Sequence, residues 1–177
     1  MLGKAAAFAA ANVAPWTLLL VPPTLAVNWF GDSLDGTVAR VRGAERPRYG
    51  FYVDHVLDIV GITLLMAGLA SSGFMTPLIA LSLLVGYLLV SGEVFLATAV
   101  RGVFRMSSFG VGPTELRILL AIGTIALLRD PHVDVGTFGP MRLFDFGGLI
   151  AIGGMAVSLL VAVARNSTAL ARLEPRH

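Results

Sequence analysis

The sequence predicts an all-α integral membrane protein: a polytopic bundle of five full transmembrane helices preceded by a shortened N-terminal one. Three observations carry this reading. Of 177 residues, 56% are hydrophobic and only 14% charged, and the mean hydropathy is +0.81, outside the usual composition of water-soluble domains. Residues 59–92 contain no Asp, Glu, Lys, Arg or His, too long a run for one span and suited to two. Residues 146–164 form a further uncharged run long enough to cross a bilayer.

Taken in order, residues 2–11 form a short apolar piece, about 15 Å long as a helix and half the hydrocarbon core. Its alanine-rich composition is weaker than a signal-peptide core. Helices are then expected at residues 15–41, 49–72, 77–100, 113–128 and 144–165. Pro22 and Pro23 should bend the first of these, which neighbouring helices can tolerate. Ser71, Ser72 and Gly73 break the long uncharged run between the second and third. Gly147, Gly148, Gly153, Gly154 and Ala156 keep the last helix slim, for packing within the chain or for a homodimer contact. No repeat or soluble module interrupts the pattern, so residues 1–177 read as one membrane domain.

Charge placement sets the expected orientation. Arg40, Arg42, Arg46 and Arg48 flank one loop, Arg101 and Arg105 another, and Arg165, Arg172 and Arg176 the C-terminal end. By the positive-inside rule these ends face the cytoplasm, in an inner or cytoplasmic membrane. On the other side only Arg129 and Arg142 occur, accompanied by Asp130, Asp134 and Asp145. The chain has no cysteine, which excludes disulfides, thiolate metal sites and cysteine nucleophiles. A formal charge of +2 and a pI near 9.5 do not indicate nucleic acid, because the arginines sit at span ends instead of on one basic face. Lipid headgroups or phosphorylated substrates suit them better.

Asp32, Asp35, Asp54 and Asp58 lie beside long apolar runs. Asp32 and Asp35 are three apart, Asp54 and Asp58 four apart, so each pair shares a helix face. Four carboxylates brought together in a partly dehydrated space repel one another unless protons or cations compensate. Oxygen-only ligands favour hard ions such as Mg2+, Ca2+ or Mn2+. Solvated helix ends are the plain alternative for any one of them. All four at helical spacing, with Gly36, Ala39, Arg40 and Gly50 between and beside them, favour a functional site, since ionisable residues near a membrane interior are costly.

At these residues the chain resembles the CDP-alcohol phosphotransferase (phosphatidyltransferase) family, whose signature is D-x-x-D-G-x-x-A-R, a loop, then G-x-x-x-D-x-x-x-D. Asp32-Ser-Leu-Asp35-Gly36-Thr-Val-Ala39-Arg40 matches the first half and Gly50-Phe-Tyr-Val-Asp54-His-Val-Leu-Asp58 the second. The resemblance implies transfer of a substituted phosphate from a CDP-linked donor, CDP-diacylglycerol or a CDP-amino alcohol, to an acceptor hydroxyl with release of CMP in phospholipid biosynthesis. It implies Mg2+ or Mn2+ held by Asp32, Asp35 and Asp54, and Asp58 as general base that also contacts metal. Gly36, Ala39, Arg40 and Gly50 would receive the CDP moiety. Taken singly, Gly36 fits helix packing as well, Arg40 an end anchor, and Gly50 a helix start. The family normally has six spans, so with about thirty residues before Asp32 the first helix is expected to be abbreviated or cut.

His55 follows Asp54 as in choline and ethanolamine phosphotransferases, although a packed, hydrogen-bonded histidine explains it equally. Glu93, Arg101, Arg105, Glu115 and Arg117 are candidates for an acceptor pocket, against capping and internal pairing as their ordinary roles. Two other functions fit the hydropathy: a cation- or proton-coupled transporter, and a noncatalytic membrane scaffold. The transporter leaves the positions of Gly36, Ala39, Arg40 and Gly50 unexplained.

Overall fold

The computed structural model describes residues 2–11, 13–41, 46–101, 113–136 and 139–173, and within these the side chains of residues 32–33, 35–40, 47, 101 and 113–117 lie outside the description. The described residues form six α-helices: α1 Leu2–Ala11, α2 Val21–Val41, α3 Pro47–Ser71, α4 Pro77–Arg101, α5 Pro113–Leu127 and α6 Leu143–Leu173. Three of them, over Arg48–Ser71, Pro77–Val100 and Leu143–Leu173, are long and apolar enough to cross a membrane. At 21 residues α2 is comparable in length but carries the first aspartate pair, and α5 has 15 residues. The all-α class expected from hydropathy holds.

Two details depart from the expected elements. Residues 15–41 are not one bent helix: Pro15–Leu20 is a 3-10 segment that runs into α2, with the Val21 N–H donating to the Leu18 carbonyl. Pro22 and Pro23 have no N–H to give to carbonyls four residues back, so the α pattern starts with them in its first turn instead of passing through them. Between α5 and α6 lies a small antiparallel hairpin, β1 His132–Asp134 and β2 Pro140–Arg142, with Val133 opposite Met141. Gly136 and Gly139 supply its positive-φ positions, where a side chain would strain the turn.

Gly68 governs the packing of α1. A Cβ built there would lie 2.4 Å from the Ala5 carbonyl oxygen, so the backbones of α1 and α3 touch. Alanines give α1 the slimness this contact needs, and Phe8 anchors it in an edge-to-face contact with Phe144, ring centroids 5.8 Å apart. Thr17 ties the following segment back, its hydroxyl donating to the Ala7 carbonyl at 2.9 Å. Phe8, Leu18, Val21, Leu25, Leu65, Leu69, Met75, Ala80, Leu127 and Phe144 form the buried core. Phe8 comes from α1, Leu18 from the 3-10 segment and Met75 from the α3–α4 connection; the others lie at the start of α2, α4 and α6 or the end of α3 and α5, the end of these helices away from the aspartates.

Helices α4 and α6 run parallel. Gly148 of α6 meets Ile79 and Leu83, Gly86 of α4 meets Met155, and further along the Glu93 Oε1 accepts a 2.6 Å hydrogen bond from Asn166 Nδ2. At their shared start, Asp145 is only 7% exposed and accepts from the Thr76 N–H and the Thr76 hydroxyl, both at 2.6 Å. Its carboxylate thus lies in the first turn of α6 and at the N-terminal end of α4, where the helix dipoles favour negative charge. Of the small residues expected to slim α6, Gly148 is used for packing, whereas a Cβ at Gly147, Gly153 or Gly154 would meet nothing within 4 Å.

Two expected outcomes follow from this packing, both read by thermal unfolding in detergent micelles. Gly68→Val should destabilise the fold by about 1–3 kcal/mol, because it forces α1 away from α3. Asp145→Ala should cost roughly 1–3 kcal/mol by stranding Thr76, and Asp145→Asn less, since an amide oxygen still accepts one of the two bonds.

Candidate functional site

The two halves of the aspartate pattern fall on consecutive helices. Asp32, Asp35, Gly36, Ala39 and Arg40 continue the backbone of α2, and their side chains lie outside the described residues. Asn28, Asp32, Asp35 and Ala39 are spaced i, i+4, i+7 and i+11, one stripe of that helix. Upstream the same register contains Val21 and Leu25, both buried.

On α3, Gly50, Asp54 and Asp58 recur every four residues. Asp54 is exposed and Asp58 half-buried. The helix starts at Pro47, directly after Arg46, which places Gly50 and Asp54 in its first two turns. A Cβ added at Gly50 would meet nothing within 4 Å, so packing within the chain gives no reason for a glycine there. That open strip is what close approach of a ligand to a helix backbone requires.

The neighbouring helix contributes a residue that sequence reasoning did not single out. Tyr87 of α4 lies within electrostatic reach of Asp58 and Asp54, and its hydroxyl hydrogen-bonds with Ser91. Tyr87 and Ser91, four apart, place two hydroxyls on one face of a largely apolar stretch of α4. A tyrosine and a serine breaking the run LIALSLLVGYLLVSG at helical spacing were the available signal, and a weak one.

His55 takes the packed role. Its Nδ1 sits 2.6 Å from the Phe51 carbonyl oxygen, its ring lies 4.1 Å from that of Phe51 and 5.4 Å edge-on from that of Phe95 on α4. Glu93 is likewise engaged, by Asn166. The remaining candidates for an acceptor pocket, Arg101, Arg105, Glu115 and Arg117, lie outside the described residues or side chains. Among the described residues no three His, Cys, Asp or Glu side chains come together; Asp54 and Asp58 supply two carboxylates. A carboxylate pair on one helix face, half open to solvent and lacking sulfur or imidazole, is a donor set suited to a hard divalent ion.

A helical membrane protein whose acids and small residues follow the D-x-x-D-G-x-x-A-R and G-x-x-x-D-x-x-x-D pattern on two successive helices belongs to the enzymes that handle CDP-linked alcohols. Residues 3–166 match the family described as CDP-alcohol phosphatidyltransferase, and the chain is a member of it. Comparison with curated proteins and with solved structures gave no match. Membership establishes a transferase of substituted phosphate groups, moving a phosphatidyl-type group from a CDP-alcohol in phospholipid synthesis. The family is generally dependent on a divalent metal.

The empty space beside Gly50 separates its two roles by experiment. Gly50→Ala should leave the unfolding temperature unchanged or slightly raised, because alanine is the better helix former by up to about 1 kcal/mol. The KM for the CDP-linked donor, measured by CMP release, should rise while the KM for the acceptor stays near its original value.

Proposed function

We propose that the chain catalyses Mg2+- or Mn2+-dependent transfer of a substituted phosphate from CDP-diacylglycerol or a CDP-amino alcohol to an acceptor hydroxyl, at the cytoplasmic face of the inner membrane. The observation that carries this reading is the complete eight-position pattern on α2 and α3, with Asp54 and Asp58 on one face of α3 and Tyr87 of α4 within their electrostatic reach. Asp32, Asp35, Asp54 and Asp58 would hold the divalent ion or ions, which when bound neutralise the donor diphosphate and the charge growing on the departing CMP.

The chain's own groups account for the other parts of the reaction. Gly50 leaves the start of α3 bare, and Gly36 and Ala39 do the same by composition on α2, so the cytidine diphosphate can lie along the helices. Arg40, with its planar fork of donors, pairs with phosphate oxygens. Asp58 takes the proton of the acceptor hydroxyl as that oxygen bonds to phosphorus and the phosphorus–oxygen bond to CMP breaks. Its half-buried setting beside Tyr87 and Ser91 limits water around the proton transfer. Phosphoryl transfer depends mainly on such positioning and electrostatics.

Donor chemistry decides the other substrate. A CDP-diacylglycerol enzyme uses a polar alcohol or its phosphate as acceptor, and a CDP-amino alcohol enzyme uses a membrane diglyceride. The arginines near residues 101–117 favour a phosphorylated acceptor, whereas the Asp54-His55 pair points to the amino alcohol; His55 packed between Phe51 and Phe95 weakens that second clue.

Purified protein should release CMP from one donor class in a metal-dependent assay. Asp58→Asn should reduce the rate by about 100-fold or more, the scale of losing a general base, with unfolding temperature preserved. Absence of CMP release across both donor classes and both metals, from protein that is folded, would refute the proposal; ion flux in liposomes without nucleotide would favour transport instead.

A further inference from the structure

Lys4 belongs to no part of the family pattern. It is only 6% exposed, on α1, and its Nζ reaches across to Asn28 Oδ1 on α2 at 3.4 Å. Its neighbours along α1 are apolar, including buried Ala5, Ala7 and Phe8. Placing an ammonium in such surroundings is costly unless negative charge offsets it.

Asn28 stands close to the acids in the register of its helix. It stands on the same stripe of α2 as Asp32, one turn and about 6 Å further along the axis, and Asp35 follows on the next turn. Gly3 faces Thr24 and Ala5 faces Gly68, so α1 is docked below the acids with its N-terminal end towards them. The docking that Gly68 permits therefore brings a lysine from outside the motif to Asn28, one helical turn before Asp32.

We infer that Lys4 is a built-in counter-charge of the aspartate site: a fixed cation, steered by Asn28, that offsets the α2 carboxylates and weakens their hold on divalent ions in the absence of donor. The inference rests on the metal-binding reading of Asp32, Asp35, Asp54 and Asp58. Its physical content is a charge balance. Four carboxylates alone would bind a divalent ion tightly and repel the donor's diphosphate; one fixed positive charge reduces both effects without filling a coordination position. Lys4 is thus a positioning residue, acting on substrate through the carboxylates.

The test measures Mn2+ binding to the purified full chain in micelles, without nucleotide, by electron paramagnetic resonance of the free ion. Lys4→Met and Lys4→Gln should bind Mn2+ more tightly than the original chain, by about tenfold or more, the scale of removing one charge ~10 Å from a divalent ion through a medium of intermediate dielectric. Lys4→Arg should match the original, and the two neutral variants should show a raised donor KM in CMP release. A merely structural lysine would loosen or leave unchanged the metal binding, and either result in the folded neutral variants overturns the inference. Lys4→Gln keeps an amide donor for Asn28, so the packing contact survives when the charge does not. If the original chain itself binds no Mn2+, the metal-site reading falls and takes the inference with it.

Discussion

The contact of the Ala5 carbonyl with Gly68 decides how this bundle is closed. The ten residues of α1 fill the gap between α2 and α3 at one end. Because glycine lets the two backbones touch, Phe8 reaches Phe144 and the start of α2 is held down through Thr17. Dispersion and area burial are concentrated there, in a core of alanines, leucines and one aromatic pair. At the opposite end, where the acids lie, Gly50 and Asp54 are exposed among the described residues. A site for charged substrates needs such an arrangement, since close packing at both ends would exclude them.

Helices α4 and α6 complete the frame through polar contacts spaced along a common seam. Asp145 joins the two helix starts and Glu93 with Asn166 joins them further along, with Gly148 and Gly86 allowing close approach between. Polar pairs in a lipid environment fix register, because a slipped register leaves each group unsatisfied. That seam fixes the register of α4, the helix that carries Tyr87 and Ser91. A contact about 70 residues apart in sequence, Thr76 with Asp145, therefore bears on the geometry of the site.

Much of the fold was legible because membrane helices announce themselves by uncharged length. The expected starts at Pro77 and Pro113 coincide with the observed ones, proline being favoured in the first turn. α6 runs to Leu173, beyond the expected end near Arg165, because Arg165, Asn166, Ser167 and Thr168 end the apolar run without breaking helical hydrogen bonding. Hydropathy marks the edge of lipid, not the edge of the helix. The hairpin at His132–Asp134 and Pro140–Arg142 was missed, since three-residue strands carry too short an alternation to read. The 3-10 segment before Pro22 was missed for a related reason: hydropathy does not distinguish the two helix types.

The order and spacing of Asp32, Asp35, Gly36, Ala39, Arg40, Gly50, Asp54 and Asp58 are properties of the chain in one dimension, and they suffice for the family and the reaction class, because helical periodicity converts spacing directly into shared faces. Neighbours across helices are another matter. Nothing in local sequence says that Gly68 receives α1, that Lys4 reaches Asn28, that His55 is spent on Phe51 and Phe95, or that Tyr87 comes within electrostatic reach of Asp58. These depend on the rotation and depth of each helix, which are set by small differences in packing summed over distant residues, and only the assembled bundle decides them.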